Sequence, residues 1–270
     1  MGKFEQFIQL IRDNSDGALQ NASTLTIVAM LVVAILLAIA TVFAISVSVY
    51  LGVCYVKFNK AKNSLGKTGK DIAREVLDSN DLKHIKVIKN GSILFGNSYS
   101  HYFKRVRLRR RTWKKDSISS MAMAYQKSCL AILDKEGDRD MQRRVKMTPF
   151  IYFGPIAFIP MIIVGVVLDA LLFGFAGVLM SILIVLSDVA YLLAFVMSIA
   201  VLKTEKKAQA LALQKMQGVV TDEELQACKK LFKLYNIEYV NDMIIALLEF
   251  VYRILEIVAL KENSSSFSND

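Results

Sequence analysis

The chain has 270 residues, of which 54% are hydrophobic, and its mean hydropathy is +0.40. This composition excludes an ordinary soluble domain, because the apolar residues are concentrated in runs long enough to cross a bilayer. The net charge of +10 is uneven, since residues 57–148 carry 23 Lys and Arg against 9 Asp and Glu. The sequence therefore predicts a membrane protein with one strongly basic polar region.

The apolar runs divide the chain into helices and polar segments. Residues 25–56 contain no charge, whereas the last apolar run includes Glu249, Arg253 and Glu256. The expected segments are an N-terminal amphipathic segment (1–23), transmembrane helix 1 (24–56), a basic cytoplasmic domain (57–148), a transmembrane helical hairpin (149–202), a cytoplasmic helical segment (203–242), a C-terminal apolar helix (243–262) and a disordered tail (263–270). Four apolar helices predict a mainly α, multi-pass protein.

The charge distribution predicts how the chain is oriented in the cell membrane. Basic segments beside a span stay in the cytoplasm, so residues 57–148 and 203–242 are expected there. The N-terminus is then expected on the outer side. Both polar segments would share one compartment, where they can meet.

The basic domain reads as a helix, a small sheet and a second helix. Residues 68–82 form a short amphipathic pattern with Thr68 as a candidate N-cap. Asn90-Gly91 lies between alternating apolar and polar residues and predicts a β-hairpin. A third strand is expected within residues 101–111, and a helix at 117–135. The domain is therefore predicted to be a small α+β structure.

The second helix carries the most informative motif. Residues 117–137 read SISSMAMAYQKSCLAILDKEG. They resemble the active-site helix of the bacterial membrane zinc metallopeptidases (YugP-like), which reads AHEVGHAIQDKEG. Aligned on the shared DKEG, the chain has Gln126 for the first ligand His, Lys127 for the Glu base and Leu130 for the second ligand His.

Other motifs of that family occur in the same order, over residues 57–257. Glu205 matches the family's third zinc ligand, and His101-Tyr102 matches a His-Tyr pair before a basic strand. Leu211 stands where the family has Arg. The remaining matches are Ser64, Gly66, Thr68, Gly69, Ile72, Ala73, Arg74, Leu77, Asp78, Asn80, Leu82, Ala208 and Ala212. The resemblance implies a zincin-like fold for the cytoplasmic domain.

The resemblance also implies that the zinc site is degenerate at Gln126, Lys127, Leu130 and Glu205. In HExxH, residues four apart place two imidazoles on one zinc, and the Glu activates the bound water. Leu130 has no donor atom, and Lys127 replaces a base with a cation. Glu205 is expected to pair with Lys127 instead, so that an ion pair bridges the two helices in place of the metal. His101 and Cys129 are the only other metal candidates near this site, and weak ones.

Residues 104–115 form a second candidate site, a basic run. A basic face near a membrane attracts anionic lipid, and an acidic protein partner is the alternative. Nucleic acid is not expected, because the run has one Trp and no RNA- or DNA-binding motif around it. The predicted contact residues are Lys104, Arg105, Arg107, Arg109, Arg110, Arg111, Lys114 and Lys115.

Three functions remain open at this point. The first is a catalytically inactive pseudoprotease that acts by binding a membrane protein or peptide, with no cofactor. The second is an active zinc-dependent membrane metallopeptidase with an atypical site, in which case zinc is the cofactor. The third is a structural or lipid-binding membrane protein.

Overall fold

The computed structural model describes residues 2–15, 17, 19–91, 96–173 and 178–266, without the side chains of most residues in 149–194 and of 264–266. The described chain is mainly helical and contains one small sheet. The helices are α1 (Lys3–Asp13), α2 (Thr24–Lys60), α3 (Gly69–Asp78), α4 (Arg110–Lys114), α5 (Ile118–Lys135), α6 (Arg139–Phe173), α7 (Val178–Met216) and α8 (Asp222–Ser266). The strands are β1 (Lys86–Asn90), β2 (Ser98–Ser100) and β3 (Arg105–Arg109). Two compact units divide the chain: unit 1 comprises residues 1–45 and 240–270, and unit 2 comprises residues 46–239.

Unit 1 contains α1 and parts of α2 and α8. The side chain of Ile8 is buried with Ala22, Ile27 and Ala259, while Phe4 and Phe7 of α1 are exposed. Polar contacts also link α2 and α8 within this unit. Glu262 accepts hydrogen bonds from the Ser23 amide at 2.8 Å and the Thr26 hydroxyl at 3.2 Å.

Helix α2 is the one helix in the described part of the chain that is long and apolar enough to cross a membrane. It has 37 residues, and only 22% of its most apolar window is buried within the protein. Its apolar residues lie on all sides, as a helix surrounded by lipid requires. The expected span at 24–56 is therefore present as a helix with the composition of a membrane helix.

The predicted fold class is wrong in its four apolar helices and its multi-pass topology. Among the described residues one helix qualifies as a span, and a shorter apolar stretch in α6 covers only Ile163–Leu172. The reason is that the apolar runs are parts of longer helices with polar ends. Helix α6 begins in the basic sequence from Arg139, and α8 starts at Asp222 and includes Glu249, Arg253 and Glu256.

Unit 2 contains the sheet, with the strand order β1-β3-β2. Strand β3 pairs with β1 in parallel and with β2 antiparallel, so Val106 lies between Val87 and Tyr99. Val106 and Leu108 are fully buried, and they belong to one core together with residues of α3, α5, α7 and α8. The second strand of the hairpin predicted across Asn90-Gly91 would begin at residues 92–95, which lie outside the described residues, so this hairpin stays a prediction. Among the described strands, β3 lies between β1 and β2.

Capping interactions determine where several unit 2 helices begin. Thr68 caps α3 as predicted, and its hydroxyl accepts from the Asp71 amide at 3.4 Å. At the start of α8, Thr221 and Glu224 form reciprocal bonds between side chain and amide. Buried Glu224 also accepts hydrogen bonds from the amide and hydroxyl of Ser64. The segment that follows α2 is thereby tied to α8.

Candidate functional site

The candidate site is centred on α5. Ser117 is its N-cap, and the hydroxyl of Ser117 accepts from the Ser120 amide at 3.2 Å. Every residue from Ile118 to Leu133 is buried, so α5 is enclosed on all sides. Small side chains in its first turns let the neighbouring helices approach closely. The three positions of the degenerate motif therefore lie in the interior of unit 2.

Helix α7 brings Glu205 to these positions. Its Oε2 accepts hydrogen bonds from Gln126 Nε2 and Lys127 Nζ, each at 2.8 Å. Its Oε1 accepts from Arg144 Nη1 of α6, also at 2.8 Å. The site is therefore a three-helix polar cluster in which one carboxylate receives three donors. We call it the Glu205 cluster: Gln126, Lys127, Arg144 and Glu205.

Neighbouring contacts fix α6 and α7 against each other beside this cluster. The Thr204 hydroxyl donates to the Asp140 carbonyl at 3.3 Å. Lys207 Nζ lies 2.7 Å from a carboxylate oxygen of both Asp138 and Asp140. These contacts hold the first turn of α6 on α7 and so position Arg144 over Glu205.

The electrostatics of the Glu205 cluster favour the ionised carboxylate. The side chains of Lys127, Arg144 and Glu205 are only 11%, 17% and 16% exposed. Burial alone would raise the pKa of Glu205, but the charges and hydrogen bonds of Lys127 and Arg144 lower that pKa to about 2. Two cations thus outnumber the one carboxylate in a poorly solvated site.

The residues of this site do not fit a catalytic zinc ion. Zinc binds thiolate, imidazole or carboxylate groups, and of the three ligand positions only Glu205 offers one. Both oxygens of that carboxylate already bond to cations, and Leu130 is fully buried without a donor atom. Within the described residues, no three His, Cys, Asp or Glu side chains converge as a metal site would require.

His101 lies against Asp134 rather than in the Glu205 cluster. Its Nδ1 is 2.7 and 2.8 Å from the two Asp134 carboxylate oxygens, and Tyr99 donates its hydroxyl to Asp134 at 2.6 Å. Burial alone would raise the pKa of Asp134, but the hydrogen bonds from Tyr99 and His101 lower it. Asp134 follows Leu130 by one helical turn, so this second polar group borders the degenerate site.

Cys129, the other weak metal candidate, is fully buried in the core. Burial raises the pKa of its thiol to about 12, which keeps the sulfur protonated. A protonated, desolvated thiol is a poor metal ligand. Cys129 therefore acts as a small apolar side chain within α5.

The basic run lies on β3, α4 and the residues beside them. Arg105, Arg107 and Arg109 alternate with the buried Val106 and Leu108 along β3. Arg110, Arg111 and Lys114 are exposed on the single turn of α4. The structure thus collects the predicted basic residues on the surface, away from the buried Glu205 cluster.

Sequence reasoning foresaw the contact of Lys127 with Glu205 but missed Arg144 and Asp134. Arg144 is one of several basic residues at the start of α6, and nothing in the local pattern distinguishes it from its neighbour Arg143. Asp134 is part of the DKEG used for the alignment. Its place one turn after Leu130, on the face that carried the motif, was the available signal.

Comparison with known proteins places this geometry in a family. The model of the family described as "putative neutral zinc metallopeptidase" matches residues 32–258. No curated protein and no solved structure gives a match to the chain. The match covers most of the chain and includes α5, Glu205 and the sheet. It confirms the resemblance noted in the motifs, and the chain therefore belongs to the neutral zinc metallopeptidase family.

Proposed function

We propose that this chain is a catalytically inactive member of its family, a pseudoprotease that acts by binding a membrane protein or a peptide. The observation that carries the proposal is the pair of ion contacts from Lys127 and Arg144 to Glu205. They occupy both oxygens of the one remaining ligand, and they add positive charge where a metallopeptidase needs a cation site and a base.

Binding is the function that this arrangement leaves open. The groups of the zinc reaction are replaced at Gln126, Lys127 and Leu130, while the helices around them pack into one core. A stable scaffold without reaction chemistry can still recognise a partner through its surface. The helix α2, long and apolar enough to span, would keep such a scaffold at the membrane.

The direct experiment measures zinc per chain in detergent-purified protein, before and after zinc is added. We expect a ratio near zero in both samples. A ratio near one that is lost in Glu205→Ala would overturn the proposal and favour an active metallopeptidase with an atypical site. Hydrolysis of an unfolded protein substrate, with and without zinc, should be measured on the same samples.

A reconstructed site provides the matched comparison. The variant Q126H/K127E/L130H restores the family's ligands and base around Glu205. We expect zinc binding to rise in this variant and not in Q126H alone, because one imidazole and one paired carboxylate cannot hold the metal. Zinc bound equally by the wild type and the reconstructed variant would contradict the proposal.

A further inference from the structure

The outer face of the sheet is a cationic surface. In β3 the side chains of Arg105, Arg107 and Arg109 lie opposite the buried face. The strand register places Lys86 and Ser100 on either side of Arg105, and Ser98 beside Arg107. Three guanidinium groups, an ammonium group and two hydroxyls therefore share one face. We call it the β3 face.

The charge of this face is not neutralised by the protein. Of the eight basic side chains in the run, only Lys104 makes an ion pair within the described residues, with Asp134 at 3.4 Å. The Arg105 and Arg107 guanidinium carbons lie 4.3 and 5.8 Å from the centre of the Phe103 ring. The Nε atoms of both arginines are buried and have no acceptor in that part of the chain. Two arginines are thus held in place with uncompensated charge, as an anion site requires.

The basic run is anchored at the C-terminal end of α2. Lys115 Nζ lies 3.4 Å from the Asn59 carbonyl, and the Asn63 amide donates to the Asp116 carbonyl at 2.7 Å. The Ile118 amide donates to the Ala61 carbonyl at 3.1 Å. Since α2 is the helix with the composition of a span, these contacts join the basic run to the residues that directly follow the uncharged segment 25–56.

The end of α2 has the residues typical of a membrane interface. Tyr50, Tyr55 and Phe58 are followed or interleaved by Lys57 and Lys60, and aromatic and basic side chains favour the headgroup level. The β3 face and this end of α2 belong to the same compact unit.

We propose that the β3 face binds the phosphate groups of anionic lipids in the leaflet at which α2 ends. Guanidinium groups pair well with phosphate oxygens. Attraction to an anionic leaflet grows with each basic side chain and is limited to about 10 Å. Contact with the end of α2 keeps the basic run close to that leaflet. A nucleic acid or an acidic protein would have to diffuse to the run from solution, whereas the lipid is already beside it. This inference does not depend on whether the zinc site is active.

Trp113, the one tryptophan of the chain, lies within the basic run and reports on its lipid neighbours. The full chain is reconstituted in bilayers with equal fractions of brominated phosphatidylglycerol or brominated phosphatidylcholine, with bromine near the headgroup. We expect quenching of Trp113 by the anionic lipid to exceed quenching by the zwitterionic lipid by about threefold. The difference should shrink as salt is raised, because the attraction is screened.

Two variants with equal loss of charge complete the test. The variant R105Q/R107Q/R109Q removes the three arginine charges of the β3 face. The variant K203Q/K229Q/K233Q removes the charges of three exposed lysines outside the run. We expect the first variant to lose the preference for anionic lipid and the second to retain it. Equal quenching by both lipids in the wild type would overturn the proposal, as would an equal loss in the two variants. The Trp113 emission maximum checks that each variant is folded, and the salt dependence tests the wild type independently.

Discussion

At the scale of single residues, Glu205 shows what a buried carboxylate requires of its neighbours. A buried carboxylate without a positive partner is costly, so it either takes up a proton or acquires a cation. Here Lys127 and Arg144 provide the cations and Gln126 provides a further donor. Helices α5, α6 and α7 are thereby connected by charge-assisted hydrogen bonds.

The arrangement predicts unequal effects for the members of the Glu205 cluster. Glu205→Gln leaves two buried cations unpaired and should lower the free energy of unfolding by about 3–5 kcal/mol. Lys127→Met leaves a balanced pair of Glu205 and Arg144, so its cost should stay within about 1 kcal/mol. Thermal unfolding in detergent measures both, and Glu136→Gln, at an exposed carboxylate, is the matched control.

Because Arg144 also contacts Glu205, exchanging the charges of Lys127 and Glu205 should not restore stability. In the charge swap K127E/E205K, the new lysine would lie beside Arg144, so stability should not return to the wild-type value. Recovery in the swap would contradict the contact between Arg144 and Glu205. Equal losses of unfolding free energy in Glu205→Gln and Lys127→Met would contradict the conclusion that two cations share one carboxylate in this cluster.

Acid should remove the contribution of Glu205 in a defined window. The folded pKa of about 2 lies below the ordinary value of 4.5, so the stabilisation is fully present above pH 4.5 and is lost as the pH falls toward 2. The loss should be on the order of 3 kcal/mol. The wild type loses stability through other carboxylates as well, including Asp134 and Glu224, whose pKa values are also lowered.

The Glu205→Gln variant isolates this titration, because it retains every other carboxylate. The difference in melting temperature between wild type and Glu205→Gln should be constant from neutral pH to about 4.5 and then decrease toward pH 2. A difference that stays constant down to pH 2 would mean that Glu205 does not have a lowered pKa in the folded protein.

At the scale of elements, the contact of α3 with α4 depends on a glycine. A Cβ at Gly69 would overlap the carbonyl oxygen of Thr112, which is backbone and cannot move aside alone. Gly69→Ala should therefore cost about 1–3 kcal/mol, as overpacking does. Gly52→Ala in α2 is the control, since nothing lies within 4 Å of its added methyl group. Equal melting temperatures for the two variants would contradict this close approach.

Local signals predicted the elements better than their pairing. The predicted N-cap Thr68 marks the start of α3, because a cap is read within one turn of the chain. The pairing of the described strands could not be read from such signals, since β3 follows β1 and β2 in sequence but lies between them in the sheet. In the described strands, the fully buried residues are Val106 and Leu108 of β3, as the central position of this strand requires.

At the scale of the whole molecule, hydropathy predicted the membrane topology less reliably than the motifs predicted the family. The uncharged run at 25–56 corresponds to α2, but the later runs continue into charged sequence within α6 and α8. A window of apolar residues does not reveal where a helix begins or which polar contacts its ends make. The resemblance predicted that Glu205 lies beside α5. The contact of Arg144 with Glu205 could not be predicted, because it depends on the packing of α6 against α7.

The charges on either side of α2 predict its orientation. The chain has Lys3 and Arg12 before this helix, and Lys57, Lys60, Lys62, Lys67 and Lys70 at its end or just beyond. Since the side richer in Lys and Arg near a span stays in the cytoplasm, a protease site fused before residue 1 should be cut only in right-side-out vesicles. The basic run at 104–115 should be cut by trypsin only in inside-out vesicles.

Neutralising charges at two distances from α2 tests the cause of this orientation. K57Q/K60Q/K62Q removes charges that lie within about 15–20 residues of the span, where they determine topology, so this variant should give a mixed population. R109Q/R110Q/R111Q removes the same charge far along the chain and should leave the orientation unchanged. Cleavage of the N-terminal site and the basic run from the same side of the vesicle would mean that α2 does not cross the membrane. If the two variants were equally mixed, net charge rather than the position of Lys57 to Lys62 would set the orientation.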